Sequence, residues 1–178
     1  MEKLSVEMPT RDELVAWAGE GRVVRAGAGE ITSWDLPEPD RRALIDIGVP
    51  LLEQIVDAVT FHAEDGGYRV AEQDPATRQV FRVEPGTGRV LEQARPQSPN
   101  RIVNSSVRQW LCSLHLVGTA MNTSYALAHW DESGDLEDAA LDELAELLAR
   151  IRRLDPAAFG DGSHAHFYWP AVLDRWLY

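Results

Sequence analysis

The chain has one cysteine, one lysine and no long apolar run, and each scarcity removes a class of protein. A lone Cys112 cannot close an intrachain disulfide, so the fold must be held by its own core. No window approaches the roughly 20 consecutive apolar residues that a helix needs to cross a bilayer. Residues Met1 to Pro9 lack both the basic start and the apolar centre of a secretory leader. A cytoplasmic protein with no membrane partner is expected. Basic groups are also few, 17 against 29 acidic ones, for a formal charge of -12. Such a field repels phosphate backbones and anionic lipid, so no nucleic-acid ligand is expected, and a basic protein partner is favoured.

Cofactor signatures are missing too. Gly86-Thr87-Gly88 and Gly27-Ala28-Gly29 lack both the longer glycine fingerprint and the Lys-Ser/Thr ending of a phosphate cradle, and they read as tight turns. Ser105 and Ser106 have no nucleophile elbow around them. Cys112 falls inside an apolar helical pattern, where a small buried side chain is expected. No cofactor and no catalytic group is called for. The metal candidate is His164-Ala165-His166, because alternate residues of a strand project to one side and imidazole is a common ligand. Asp161 can be recruited, a third strong ligand is missing, and a polar loop leading into Phe167-Tyr168-Trp169 explains the segment equally well.

With 178 residues, 44% of them hydrophobic, and no linker, the chain can build one domain around a sizeable core. Thr10 and Glu13 form a capping-box pattern before Leu14, Val15 and Trp17, with Gly19 and Gly21 placed to stop a short helix. Arg22 to Arg25 and Ile31 to Trp34 read as a hairpin around Gly27 and Gly29. Asp40 is placed to cap a short helix through Ala43, Leu44 and Ile45 that ends at Gly48. Leu52 to Phe61 is ambiguous, its β-branched content favouring strand. Gly67 to Glu72, Gln79 to Glu84 and Arg89 to Gln93 are turn-bounded strands of a meander, with Phe81 and Val83 on one face and Arg82 and Glu84 on the other. An extended stretch ending Arg101-Ile102-Val103 then runs into Asn104 or Ser105 as helix cap. Val107, Trp110, Leu111, Leu114 and Val117 recur at helical spacing behind it. This helix is expected from Ser105 to about Ala128. A second, Leu136 to Arg153, carries an apolar stripe of Leu136, Ala140, Leu141, Leu144, Leu147, Leu148 and Ile151. Asp155-Pro156 can start another turn, and Trp169 to Trp176 is expected to close the fold as a helix.

This order resembles the SUKH superfamily, and within it the fourth immunity-protein group of bacterial polymorphic toxin systems. The resemblance rests on Leu44-Ile45-Asp46-Ile47-Gly48-Val49-Pro50, the strand pair from Phe81 to Val90, Val103-Asn104-Ser105-Ser106, and Leu154-Asp155-Pro156-Ala157-Ala158 followed by Trp169. It covers about residues 40 to 178, residues 1 to 39 adding little. It implies an α+β single domain, a central, mostly antiparallel sheet packed with helices, and a non-catalytic protein that neutralises a cognate toxin by binding it.

One segment suits that role. Asp131, Glu132, Asp135, Glu137, Asp138, Asp142, Glu143 and Glu146 are eight acidic residues without an intervening Lys or Arg. The run can be a solvated helix face, or, with Trp130, a docking surface for a basic toxin domain such as a nuclease. Among the other tryptophans, Trp17 and Trp110 fit core positions, whereas Trp34 and Trp176 join Trp130 as interface-anchor candidates, with burial in the domain's own core the competing reading. Two further functions stay open: a regulatory or scaffold protein of the same fold with an endogenous partner, and a small ligand- or metal-binding enzyme using His164 and His166.

Overall fold

In the computed structural model, which describes residues 7–74, 79–93 and 99–178, helix α1 spans Arg11–Ala18. Its capping box forms as expected: the Glu13 N–H donates to the Thr10 hydroxyl at 3.2 Å, and the Thr10 N–H donates to the Glu13 carboxylate at 2.7 Å. The hairpin around Gly27 and Gly29 does not form. Strand β1 (Val23–Val24) pairs instead with β2 (Val49–Pro50), and Ala28–Ile31 is a short helix, α2. The local reason is Glu30, whose carboxylate accepts from the Gly27 N–H at 3.0 Å and closes a helical turn where an extended chain was expected. Ile31 and Trp34 both turn into the core.

Helix α3 (Glu38–Asp46) begins at Pro37, so Asp40 lies inside it and is not its cap. Gly48 ends it with φ 94°, its N–H donating to the Ala43 carbonyl at 3.0 Å. A Cβ at this position would stand 2.7 Å from the Val24 carbonyl oxygen, so only glycine lets β2 reach β1. The ambiguous segment divides: Leu52 and Val56 bridge a tight loop, and β3 runs Ala58–Glu64.

The main sheet is antiparallel in the order β3-β4-β5-β6-β7, with β4 Gly67–Asp74, β5 Gln79–Val83, β6 Val90–Gln93 and β7 Arg101–Asn104. The three expected meander strands are its middle. Phe81 and Val83 are buried on the inner face, while Arg82 lies on the outer face, where Glu64 pairs with Arg69 and Arg82 and Arg69 also reaches Glu72 at 3.0 Å.

Helix α4 (Val107–Thr123) covers the inner face. Its Trp110 packs on Phe81 at 5.5 Å between ring centres, and Tyr168 meets the same ring edge-on at 5.3 Å. The expected long helix stops at Ser124, whose side chain accepts from the Leu127 N–H and restarts the chain as α5 (Tyr125–Ala128). A 3-10 turn at Trp130–Glu132, then α6 (Gly134–Leu154), α7 (Pro156–Phe159) and α8 (Tyr168–Leu173), complete a mixed α+β single domain around one contiguous core. No helix among the described residues is long and apolar enough to cross a membrane.

Candidate functional site

The polar join after β7 is structural, and its roles are redistributed relative to a simple cap. Ser106, not Asn104 or Ser105, caps α4, accepting from the Gln109 N–H at 3.2 Å. The adjacent free donor, the Arg108 N–H, is taken by the carboxylate of Asp40 at 3.1 Å. Asp40 thus caps a helix other than its own, with its negative charge at the positive end of the α4 dipole. Burial pushes its carboxyl above the ordinary value of 3.8, and the Arg108 N–H and guanidinium oppose that shift.

Asn104 and Ser105 serve Asp155 instead. The Asp155 carboxylate accepts from Asn104 Nδ2 at 3.0 Å, the Ser105 N–H at 2.7 Å and the Ser105 hydroxyl at 2.6 Å. Asn104 also donates to Ser113 at 3.1 Å, and its Oδ1 accepts from the Trp169 indole at 3.0 Å. Buried polar groups need such partners, and here a closed network ties β7, α4, the α6–α7 joint and α8 together. Three separate stretches of the sequence meet at this point. It is a scaffold that fixes how the helices leave the sheet.

The acidic run lies on the outside of that scaffold. Ser133 starts α6 by accepting from the Leu136 N–H at 3.3 Å, and Ala140, Leu144, Leu147, Leu148 and Ile151 bury one side of the helix. Periodicity then sends Asp135, Asp138, Asp142 and Glu146 outward. The eight carboxylates do not all share one surface. Glu143 turns to a groove of about 430 Å³ beside α4, lined also by His115, Thr119 and Arg150. Glu137 lies on the other flank and accepts a hydrogen bond from the Tyr178 hydroxyl. Glu132 binds His129 Nδ1 at 2.7 Å, and Glu146 pairs with Arg153 at 2.8 Å. Asp131, Asp135, Asp138 and Asp142 are exposed and have no ion-pair partner among the described residues. Trp130 is half-buried beside them, with Tyr178 edge-on to its ring at 5.8 Å.

Tyr178 escapes sequence reasoning because it belongs to no periodic pattern. Leu141 is a correction: assigned to the apolar stripe, it is 41% exposed, because the buried side of α6 is narrower than the sequence stripe. Trp34 is buried and stacked on Tyr68 at 4.4 Å, so it is no interface anchor. Trp17, assigned to the core, is half-buried, its indole donating to His115 Nδ1 at 3.1 Å.

The histidine pair lacks the geometry that made it a candidate. Residues 164–166 form a turn, so no strand alternation aligns the two rings. His164 Nε2 meets Asp174 at 2.7 Å, whereas His166 Nδ1 meets Ser163 at 3.2 Å. Among the described residues no three His, Cys, Asp or Glu side chains converge as a metal site.

The fold is thus a five-stranded antiparallel sheet packed with helices, with a row of exposed carboxylates that have no ion-pair partner among the described residues along α6 and the turn before it. The SUKH-4 immunity protein model matches residues 9–175, nearly the whole chain, and the chain belongs to that family. The match starts at residue 9, so it takes in the N-terminal helix and the short β1-β2 sheet as well as residues 40 to 175. An immunity protein of a polymorphic toxin system acts by binding, and it is not a catalyst. No curated protein and no solved structure matches.

Proposed function

We propose that the chain binds its cognate toxin through the outward side of α6 and the 3-10 turn before it, and neutralises the toxin by occluding its active or substrate-binding surface. The exposed, unpaired carboxylates of Asp131, Asp135, Asp138 and Asp142 carry this reading. They sit on a chain of formal charge -12, and their field draws in a basic partner such as a nuclease, whose phosphate-binding surface they then cover.

The test uses the toxin domain encoded by the neighbouring reading frame, catalytically inactivated, with association followed by stopped flow. Charge reversal by Asp138→Lys with Asp142→Lys is expected to slow association roughly tenfold at low salt, the difference shrinking as salt screens the field. An association rate unchanged at low salt overturns the acidic-face reading.

A further inference from the structure

Among the described residues, the large hydrophobic side chains that stand exposed are Tyr125 at 63%, Leu141 at 41% and Tyr178 at 78%. Single exposed apolar residues are ordinary on a protein surface. These three are not scattered. Tyr178 lies edge-on to Trp130 with ring centres 5.8 Å apart, and its hydroxyl donates to Glu137. Leu141 follows Glu137 by one helical turn, which places the two side by side on α6. Tyr125 stacks on His129 at 4.3 Å, and His129 directly precedes Trp130. Trp130 and Tyr178 in contact, and Leu141 one turn beyond the Glu137 that Tyr178 binds, thus form a seam on the flank of the acidic surface, with the unpaired Asp131 and Asp138 at its border.

We propose that Trp130, Tyr178 and Leu141 are the apolar anchor of the toxin-docking surface, receiving a partner patch that is apolar at its centre and basic at its rim. This rests on the toxin-binding reading above and adds to it the residues that hold the complex once formed. Aromatic side chains within a charged border are the usual make-up of the energetic centre of a protein interface. Tyr178 is also held before binding, by its ring contact and its hydrogen bond, so little side-chain freedom is lost on association. The occupant is chosen by charge. A second copy of this chain would bring aspartates against aspartates, and anionic lipid or nucleic acid meets the same repulsion, whereas a lysine- or arginine-rimmed surface pairs with Asp131 and Asp138.

The two contributions separate kinetically, because rim charges govern encounter and anchors govern escape. With the inactivated neighbouring toxin domain as probe, Leu141→Ala and Tyr178→Ala are each expected to speed dissociation about tenfold or more, leaving association and its salt dependence in place. Both side chains are exposed, and matching denaturation midpoints establish that the variants fold. Tyr178→Phe, which keeps the ring and loses the bond to Glu137, is expected to fall between wild type and Tyr178→Ala. Unchanged dissociation in both alanine variants, with association still slowed by Asp138→Lys and Asp142→Lys, overturns the anchor and leaves the acidic-face reading standing. Tight binding unmoved by any of these substitutions overturns both. Loss of self-association in the alanine variants, with toxin binding intact, identifies the seam as a contact between copies and also overturns the proposal.

Discussion

Asn104 and Asp155, 51 positions apart in the chain, meet in the interior with Nδ2 and Oδ2 at 3.0 Å. The same carboxylate holds the backbone and hydroxyl of Ser105, so one aspartate fixes the exit of β7 and the end of α6 together. Asp155→Ala leaves these donors without an acceptor, at about 1–3 kcal/mol for each one stranded in the interior. Urea unfolding is expected to show a large fall in midpoint for Asp155→Ala and a much smaller one for Ser105→Ala, which leaves the other donors paired. Equal losses would show that the network is not centred on Asp155.

Glu92 is fully buried in β6, and Arg101 in β7 grips it with Nε at 2.7 Å and Nη2 at 2.8 Å. The guanidinium also lies 5.6 Å above the centre of the Tyr168 ring, whose phenol burial pushes well above its ordinary value. Glu92→Leu alone is expected to cost about 3–5 kcal/mol, since it leaves a largely buried cation unpaired. The double variant Glu92→Leu with Arg101→Met should regain most of that loss. Chemical denaturation of the three proteins decides it, and additive losses would count against a coupled pair.

Asp40 supplies a pH dependence. Its folded-state carboxyl titrates above its ordinary value of 3.8, so the folded state binds this proton more tightly than the unfolded chain. Its contribution is therefore fully present below that ordinary value and is lost as pH rises through the raised one. Asp40→Asn keeps an oxygen for the Arg108 N–H and removes this titration. The unfolding midpoint of Asp40→Asn relative to wild type should be higher at pH 7 than at pH 4, and an opposite trend would refute the assignment.

Cys112 is buried in α4, and burial pushes its thiol up to about 11. At pH 8 almost none of it is thiolate, so a thiol reagent such as 5,5′-dithiobis(2-nitrobenzoate) should label the native protein far more slowly than the urea-unfolded chain. Rapid labelling of the native protein would contradict both its burial and its raised thiol.

What could be read in the chain depended on how local its cause was. The Thr10–Glu13 box and the alternation at Phe81 to Val83 came through because each is written in residues close together in the chain. Misassignments arose where a distant group decided the outcome. Asn104 and Ser105 are sound capping residues by type, yet Asp155 recruits them and leaves the cap to Ser106. Asp40 looked like the start of its own helix because nothing nearby shows that Arg108 lies against it. Val23 and Val24 found their strand partner beyond α2 and α3, a pairing made possible by Gly48. At the candidate site, charge was legible in Asp138 and Asp142, but the exposure of Leu141 and the placing of Tyr178 over Trp130 depend on how α6 and the last residues pack.

The two borders of the main sheet differ. At β7, the Ile102 N–H donates to the His166 carbonyl at 2.8 Å, and Phe167 bridges alongside Ile102, so the turn before α8 seals that border. At the other border of this sheet, β3 pairs with β4 alone among the described residues and still offers backbone groups to a newcomer. Two molecules that join through β3 use up the open border of both, so growth through this sheet ends at a pair and cannot extend into a fibre.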